Sequence, residues 1–180
     1  MSPQLVLITG VPGSGKSTMA DVAGRALGAP VLGHDWVMSG LRPYDELQAE
    51  LDAMGVRGHR GVGWSLLWAL ARSQLRRGSS VVLDGVARDA EVRGTRQLAA
   101  EEGAGECLVV MTSCADAGLH RARVEGRQRQ IPGWYELEWD HVERVRSSWV
   151  APDGLDLVLD AGEPMEANAA AMRRLLAERS

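Results

Sequence analysis

The chain has 180 residues, 45% of them hydrophobic and 24% charged, and a net charge of −4. That size suits one domain, residues 1–180, with a core of its own, and the acidity argues against a protein that coats nucleic acid. No apolar run approaches the ~20 residues needed to cross a bilayer and no basic-then-apolar leader opens the sequence, so a cytoplasmic protein without membrane contact is expected.

Leu5-Val6-Leu7-Ile8 reads as a short buried parallel strand. It runs into Gly10-Val11-Pro12-Gly13-Ser14-Gly15-Lys16-Ser17-Thr18, where Gly10, Gly15, Lys16 and Ser17 fit G-x-x-x-x-G-K-[ST], the phosphate-binding loop. Lys16 is the only lysine among the twenty basic residues. Gly10, Gly13 and Gly15 let successive backbone N–H groups turn towards phosphate oxygens. Lys16 supplies a compact charge for the β- and γ-phosphates, and the Ser17 hydroxyl suits a Mg²⁺ shell. The helix Lys16–Leu27 follows, closed by Gly28, so its positive end faces the anion. Gly10, Pro12, Gly13, Ser14, Gly15, Lys16, Ser17 and Thr18 are the expected cradle for ATP or GTP with Mg²⁺.

Residues 30–33 make a brief second strand ending at His34-Asp35. Residues 44–54 read as a helix and 55–63 as a glycine-rich break. Trp64, Leu67, Trp68, Ala71 and Leu75 then recur at helical spacing until Gly78. Val81-Val82-Leu83-Asp84 is a third strand, 89–102 a helix, 106–112 a fourth strand and 115–125 a helix. The arginine-rich residues 121–129 are broken at Ile131-Pro132-Gly133. After them 134–149 reads as helical, 155–159 as a fifth strand and 164–178 as a terminal helix with proline in its first turn. Cys107 and Cys114 are too few and wrongly spaced for a disulfide framework or a metal site, so reduced thiols are expected. Five hydrophobic strands alternating with helices give an α/β fold with a five-stranded parallel sheet covered on both faces. Right-handed crossovers bring every βα loop to the carboxyl edge of that sheet.

Besides the phosphate loop, three loops at this edge carry candidate chemistry. Asp35, directly after the second strand, can take or orient the proton of an acceptor hydroxyl; a helix N-cap is the plainer alternative. His34 beside it either lines the pocket or is merely exposed. Asp84 ends a hydrophobic strand within reach of Mg²⁺ or Lys16, with capping again the alternative. Ser17 and Asp84 are thus the candidate metal ligands. Gly85 stands where a hydrolytic motor would place Glu, which favours transfer to a bound acceptor over hydrolysis. Arg123 and Arg127, four residues apart, would share a helix face, with Arg121 and Arg129 beside them and hinges at Gly126 and Pro132-Gly133. On a flap spanning about 121–133 they can neutralise charge on the γ-phosphate and exclude water; a solvated basic face is the alternative.

With these residues placed, the chain resembles the small P-loop kinases related to the kinase domain of phage polynucleotide kinase. That group includes gluconate-kinase-like enzymes, chloramphenicol phosphotransferase and zeta-toxin kinases. The resemblance rests on residues 10–18, Asp35 after the second strand, and Val81 to Asp84 with Arg93 nine residues on. Arg123 and Arg127 before Ile131-Pro132, and Trp149-Val150-Ala151-Pro152 before the last strand, extend it over nearly the whole chain. It implies a three-layer P-loop sheet like that of nucleoside-monophosphate kinases, in strand order 2-3-1-4-5, and transfer of a nucleotide γ-phosphate to a hydroxyl. It also implies Lys16 on the phosphates, Ser17 on Mg²⁺, Asp35 as base, and Arg123 and Arg127 as lid arginines. There are two departures from the group. Trp36 stands where a second acid is common, and Asp84-Gly85-Val86 replaces the usual Asp-Ala/Thr pair.

The acceptor site is expected between the second and third strands, in residues 36–68, which hold Trp36, Tyr44, Trp64 and Trp68. Trp64 and Trp68 suit a core equally well. Aromatic walls beside a carboxylate fit a flat, partly apolar hydroxyl compound better than a polyol. Arg88, like Arg42, Arg57 and Arg60, can take an anionic group or lie on the surface. His34, Trp36, Trp64, Asp84 and Arg88 are the candidate acceptor contacts. The expected activity is ATP- or GTP-dependent phosphate transfer to a hydroxyl of a nucleoside-, antibiotic- or sugar-like small molecule. A polynucleotide 5′-hydroxyl kinase and a regulatory or toxin-type nucleotide-binding protein are the alternatives.

Overall fold

The computed structural model describes residues 2–179. In chain order the elements are β1 (Leu5–Thr9), α1 (Lys16–Leu27), β2 (Val31–Gly33), α2 (His34–Ser39), α3 (Asp45–Ala53), a 3-10 turn (Gly55–Arg57), α4 (His59–Leu75), β3 (Val81–Asp84), α5 (Asp89–Glu101), β4 (Cys107–Ser113), α6 (Ala117–Glu125), α7 (Trp139–Ser148), β5 (Leu157–Asp160) and α8 (Met165–Glu178). The strands form one parallel sheet in the order β2-β3-β1-β4-β5, as expected. No helix among the described residues is long and apolar enough to cross a membrane.

β1 is buried along its whole length because alternate side chains enter two different cores. Leu5 and Leu7 join Leu67, Val81, Leu83 and Val92 beneath α4 and α5. Val6 and Ile8 join Met19, Val82, Leu108 and Met172 beneath α1 and α8. The register then sets the site. Ile8 pairs with Asp84, and Asp84 with Gly33, so three strands end level. The phosphate loop, the start of α2 and the loop after β3 therefore open side by side.

Residues 55–63 are not a break: α4 begins at His59 and carries Gly61 and Gly63 inside it. A Cβ at Gly63 would come within 2.3 Å of His34 Nε2, so glycine there serves the close approach of α4 to the imidazole. Gly63→Ala is expected to cost about 1–3 kcal/mol through overpacking. A lower denaturant midpoint at unchanged m would show it.

The stretch 134–149 is helical only from Trp139. Upstream, the N–H groups of Arg129 and Gln130 donate to the Glu136 carboxylate and not to helical carbonyls. α6 ends at Glu125 with Gly126 as its C-cap, so Arg127 lies beyond the helix and does not share a face with Arg123. Gly33 is the N-cap of α2, which places Asp35 in the first helical turn and not at the cap.

Candidate active site

Between β1 and α1 the backbone folds into a hollow with Gly13 at φ +80°. Ser14 is fully buried and its hydroxyl lies 2.7 Å from that of Thr112, which ties the loop to β4. Lys16 Nζ donates to the Val11 carbonyl at 2.9 Å. Burial pulls the lysine pKa down, against the opposing pull of Asp84 and Asp35. Burial pushes the Asp84 carboxyl up, while Lys16 and a hydrogen bond with the Ser17 side chain act against that rise. Ser17 and Asp84 thus bring a hydroxyl and a carboxylate oxygen into contact, and Mg²⁺ takes such hard oxygen donors. No group of three His, Cys, Asp or Glu gathers among the described residues. The pair fits a metal shared with phosphates, not one caged by protein.

Asp35 is half-buried, and its carboxylate is engaged from two sides. His34 Nδ1 stands 3.7 Å from Oδ1. Arg129 Nη1 donates to Oδ2 across a sequence separation of 94 residues. Burial alone would raise the Asp35 pKa, yet the His34 hydrogen bond and the Arg129 charge hold it below its ordinary value. The guanidinium is itself fixed: it donates to the Tyr135 carbonyl, lies 3.8 Å from Glu136 and sits over the Tyr135 ring. Arg129 is thus the arginine on Asp35, a pairing the sequence did not indicate.

A cleft of about 680 Å³ joins these groups. Lys16, Ser17, Asp35, Asp84, Arg127, Trp36 and Arg88 all line it. His34 and Trp64 line it as well. Trp64 is only 2% exposed and belongs to the core beneath α4, with an edge on the cleft. Trp36 is 58% exposed, and Trp134 and Tyr135, just after the arginine-rich stretch, line the cleft as well. A second cavity of about 480 Å³ adjoins Gly13, Gly15 and Thr18 and is bordered by Arg123, Arg127 and Arg129. The loop after β3 is pinned through Ala87, whose carbonyl accepts from Trp149 Nε1 at 3.0 Å. Arg93 is exposed on α5 and is not among the residues lining either cavity.

A phosphate loop on the central strand of a 2-3-1-4-5 parallel sheet, with an Asp after β2 and an arginine-rich segment after β4, is the arrangement of the small P-loop kinases. The chain belongs to the AAA domain family, whose model it matches over residues 5–152. No curated protein sequence matches it significantly. Among solved structures, it is similar to a sugar kinase from Janibacter sp. HTCC2649, at 18% identity over 97% of this chain and 95% of that one, TM-score 0.67. It is also similar to a gluconokinase from Sinorhizobium meliloti 1021, at 18% identity over 98% and 94%, TM-score 0.66. The APS kinase CysC of Mycobacterium tuberculosis, in complex with AMPPNP and APS, gives 23% identity over 98% of both chains and TM-score 0.62. At these identities the likeness is one of fold.

Proposed function

We propose that the protein transfers the terminal phosphate of ATP or GTP to a hydroxyl of a small, flat molecule. The observation that supports this best is that Lys16 and the Asp35 carboxylate line one cleft, with the Ser17–Asp84 pair beside them. The acceptor oxygen forms its bond to the γ-phosphorus as the bond from that phosphorus to the bridging oxygen breaks. The hydroxyl proton passes to Asp35, which the His34 and Arg129 contacts keep ionised. Lys16 and Arg127 neutralise phosphate charge in the cleft, and Arg123 borders the second cavity from α6. Magnesium held by Ser17 and Asp84 would neutralise further charge on the β- and γ-phosphates.

The acceptor lies against His34, Trp36, Trp64 and Arg88. Trp36, Trp134 and Tyr135 offer flat faces to the cleft, which suit a nucleoside- or antibiotic-like ring. The solved neighbours named as a sugar kinase, a gluconokinase and an APS kinase agree with a small acceptor. Incubation with labelled ATP or GTP and a panel of nucleosides, antibiotics, sugars and 5′-hydroxyl oligonucleotides tests the reading. A labelled small molecule is expected. Label on the oligonucleotides alone would make the protein a polynucleotide kinase, and no labelled product at all would favour a regulator.

Residues 121–133 act as the lid in this scheme. Tryptic cleavage among their arginines is expected to slow when nucleotide and magnesium are present, and equal rates would contradict closure.

A further inference from the structure

We infer that His120 of α6 is a positioning residue that presets the phosphate cradle, an inference that rests on the nucleotide reading above. The imidazole is fully buried, and its Nε2 lies 2.8 Å from the Pro12 carbonyl oxygen. A carbonyl can only accept, so Nε2 carries the hydrogen and donates it. That fixes the tautomer: Nδ1 is a bare lone pair, buried and without a partner among the described residues. The ring of Trp139 on α7 meets the imidazole edge to face at 5.3 Å. Val124, one turn further along α6, closes on the same peptide. A Cβ at Gly13 would lie 2.5 Å from Val124 Cγ2 and 3.0 Å from His120 Nε2.

The consequence follows from the planar amide. The Pro12 C=O and the Gly13 N–H belong to one trans peptide and point in opposite directions. Drawing the oxygen outward to His120 aims the N–H inward, into the hollow ahead of α1 where an anion is favoured. A cradle already set in this way pays less to reorganise when the nucleotide arrives. His120 does this as a neutral donor. Burial lowers its pKa, and Arg146 of α7, Lys16 of α1 and Arg123 of α6 add to that against the Pro12 hydrogen bond. α6 and the loop are thereby joined by one hydrogen bond and the Val124 contact, outside the reacting groups.

Calorimetry with magnesium and AMPPNP, or its guanine counterpart, compares the wild type with His120→Gln and His120→Met. Gln keeps an N–H donor at similar reach, whereas Met has similar length and none. His120→Met is expected to weaken nucleotide affinity about tenfold, the scale of one hydrogen bond in a closed site. Gln should restore most of that, with the acceptor KM unchanged in both variants. Equal affinity in wild type and His120→Met, or equal weakening in both variants, overturns the assignment. No uptake by the wild type overturns the nucleotide reading and the assignment with it. A second measurement does not depend on a variant folding. Long-range proton–nitrogen NMR of the wild type should show the Nε2–H tautomer of His120, and the Nδ1–H tautomer would overturn the assignment.

Discussion

Asp35→Asn is expected to lower phosphate transfer by about 10²–10⁴-fold, the range for losing a general base, while nucleotide affinity holds. The asymmetry comes from placement. Asp35 stands at the start of α2, whereas the cradle that grips the nucleotide lies between β1 and α1. Asparagine matches the carboxylate in shape but cannot accept the acceptor's proton. The amide oxygen can still accept from Arg129 but carries no charge, so the contact that joins Arg129 to α2 weakens. Fluorescence titration and single-turnover transfer on the same preparation separate the two effects. Unchanged turnover, or a parallel loss of nucleotide affinity, would remove Asp35 from the role of base.

Arg129→Gln carries the second large effect. Turnover is expected to fall about 10²–10³-fold, the scale for losing one positioned cationic donor, and the acid limb of the pH–rate profile should move upward. The sign follows from the opposing influences on Asp35. Burial raises its pKa, and His34 and Arg129 together bring it below the ordinary value. Without the guanidinium the burial effect is less opposed, so the carboxylate takes up its proton at higher pH and the base is lost sooner on acidification. The deficit therefore deepens as pH falls. A profile that keeps its wild-type acid limb would separate Arg129 from the ionisation of Asp35. The stability linkage has the same origin. A carboxylate with a depressed pKa contributes stability above its unfolded pKa and loses it as pH falls through the folded value, so Arg129→Gln should flatten the acid end of the wild-type stability curve.

The cradle was legible because its chemistry is local. Nine consecutive residues carry the loop, and the strand and helix on either side confirm its context. The five strands were legible for a similar reason, since buried parallel strands read as continuous apolar runs; their order came with the family resemblance. What escaped was set by distant partners. Gly63 reads as a breaker until His34 is seen against it, and α2 at six residues is too short to show a period. Arg127 left the helix because Gly126 caps α6, and Glu136 withholds the backbone of Arg129 and Gln130 from a helix. Arg129 stood in plain view within an arginine-rich run, yet nothing local distinguishes the arginine that crosses to Asp35. His120 gave no signal, being one histidine on an ordinary helix.

The claim on which the rest depends is that the loop from Gly10 to Thr18 holds a nucleoside triphosphate. Calorimetric titration of the wild type and Lys16→Met with magnesium and non-hydrolysable ATP and GTP analogues tests it directly. The expected result is one-to-one uptake of at least one analogue by the wild type, lost or strongly weakened in Lys16→Met. No binding by the wild type, or binding that is indifferent to Lys16, would contradict it.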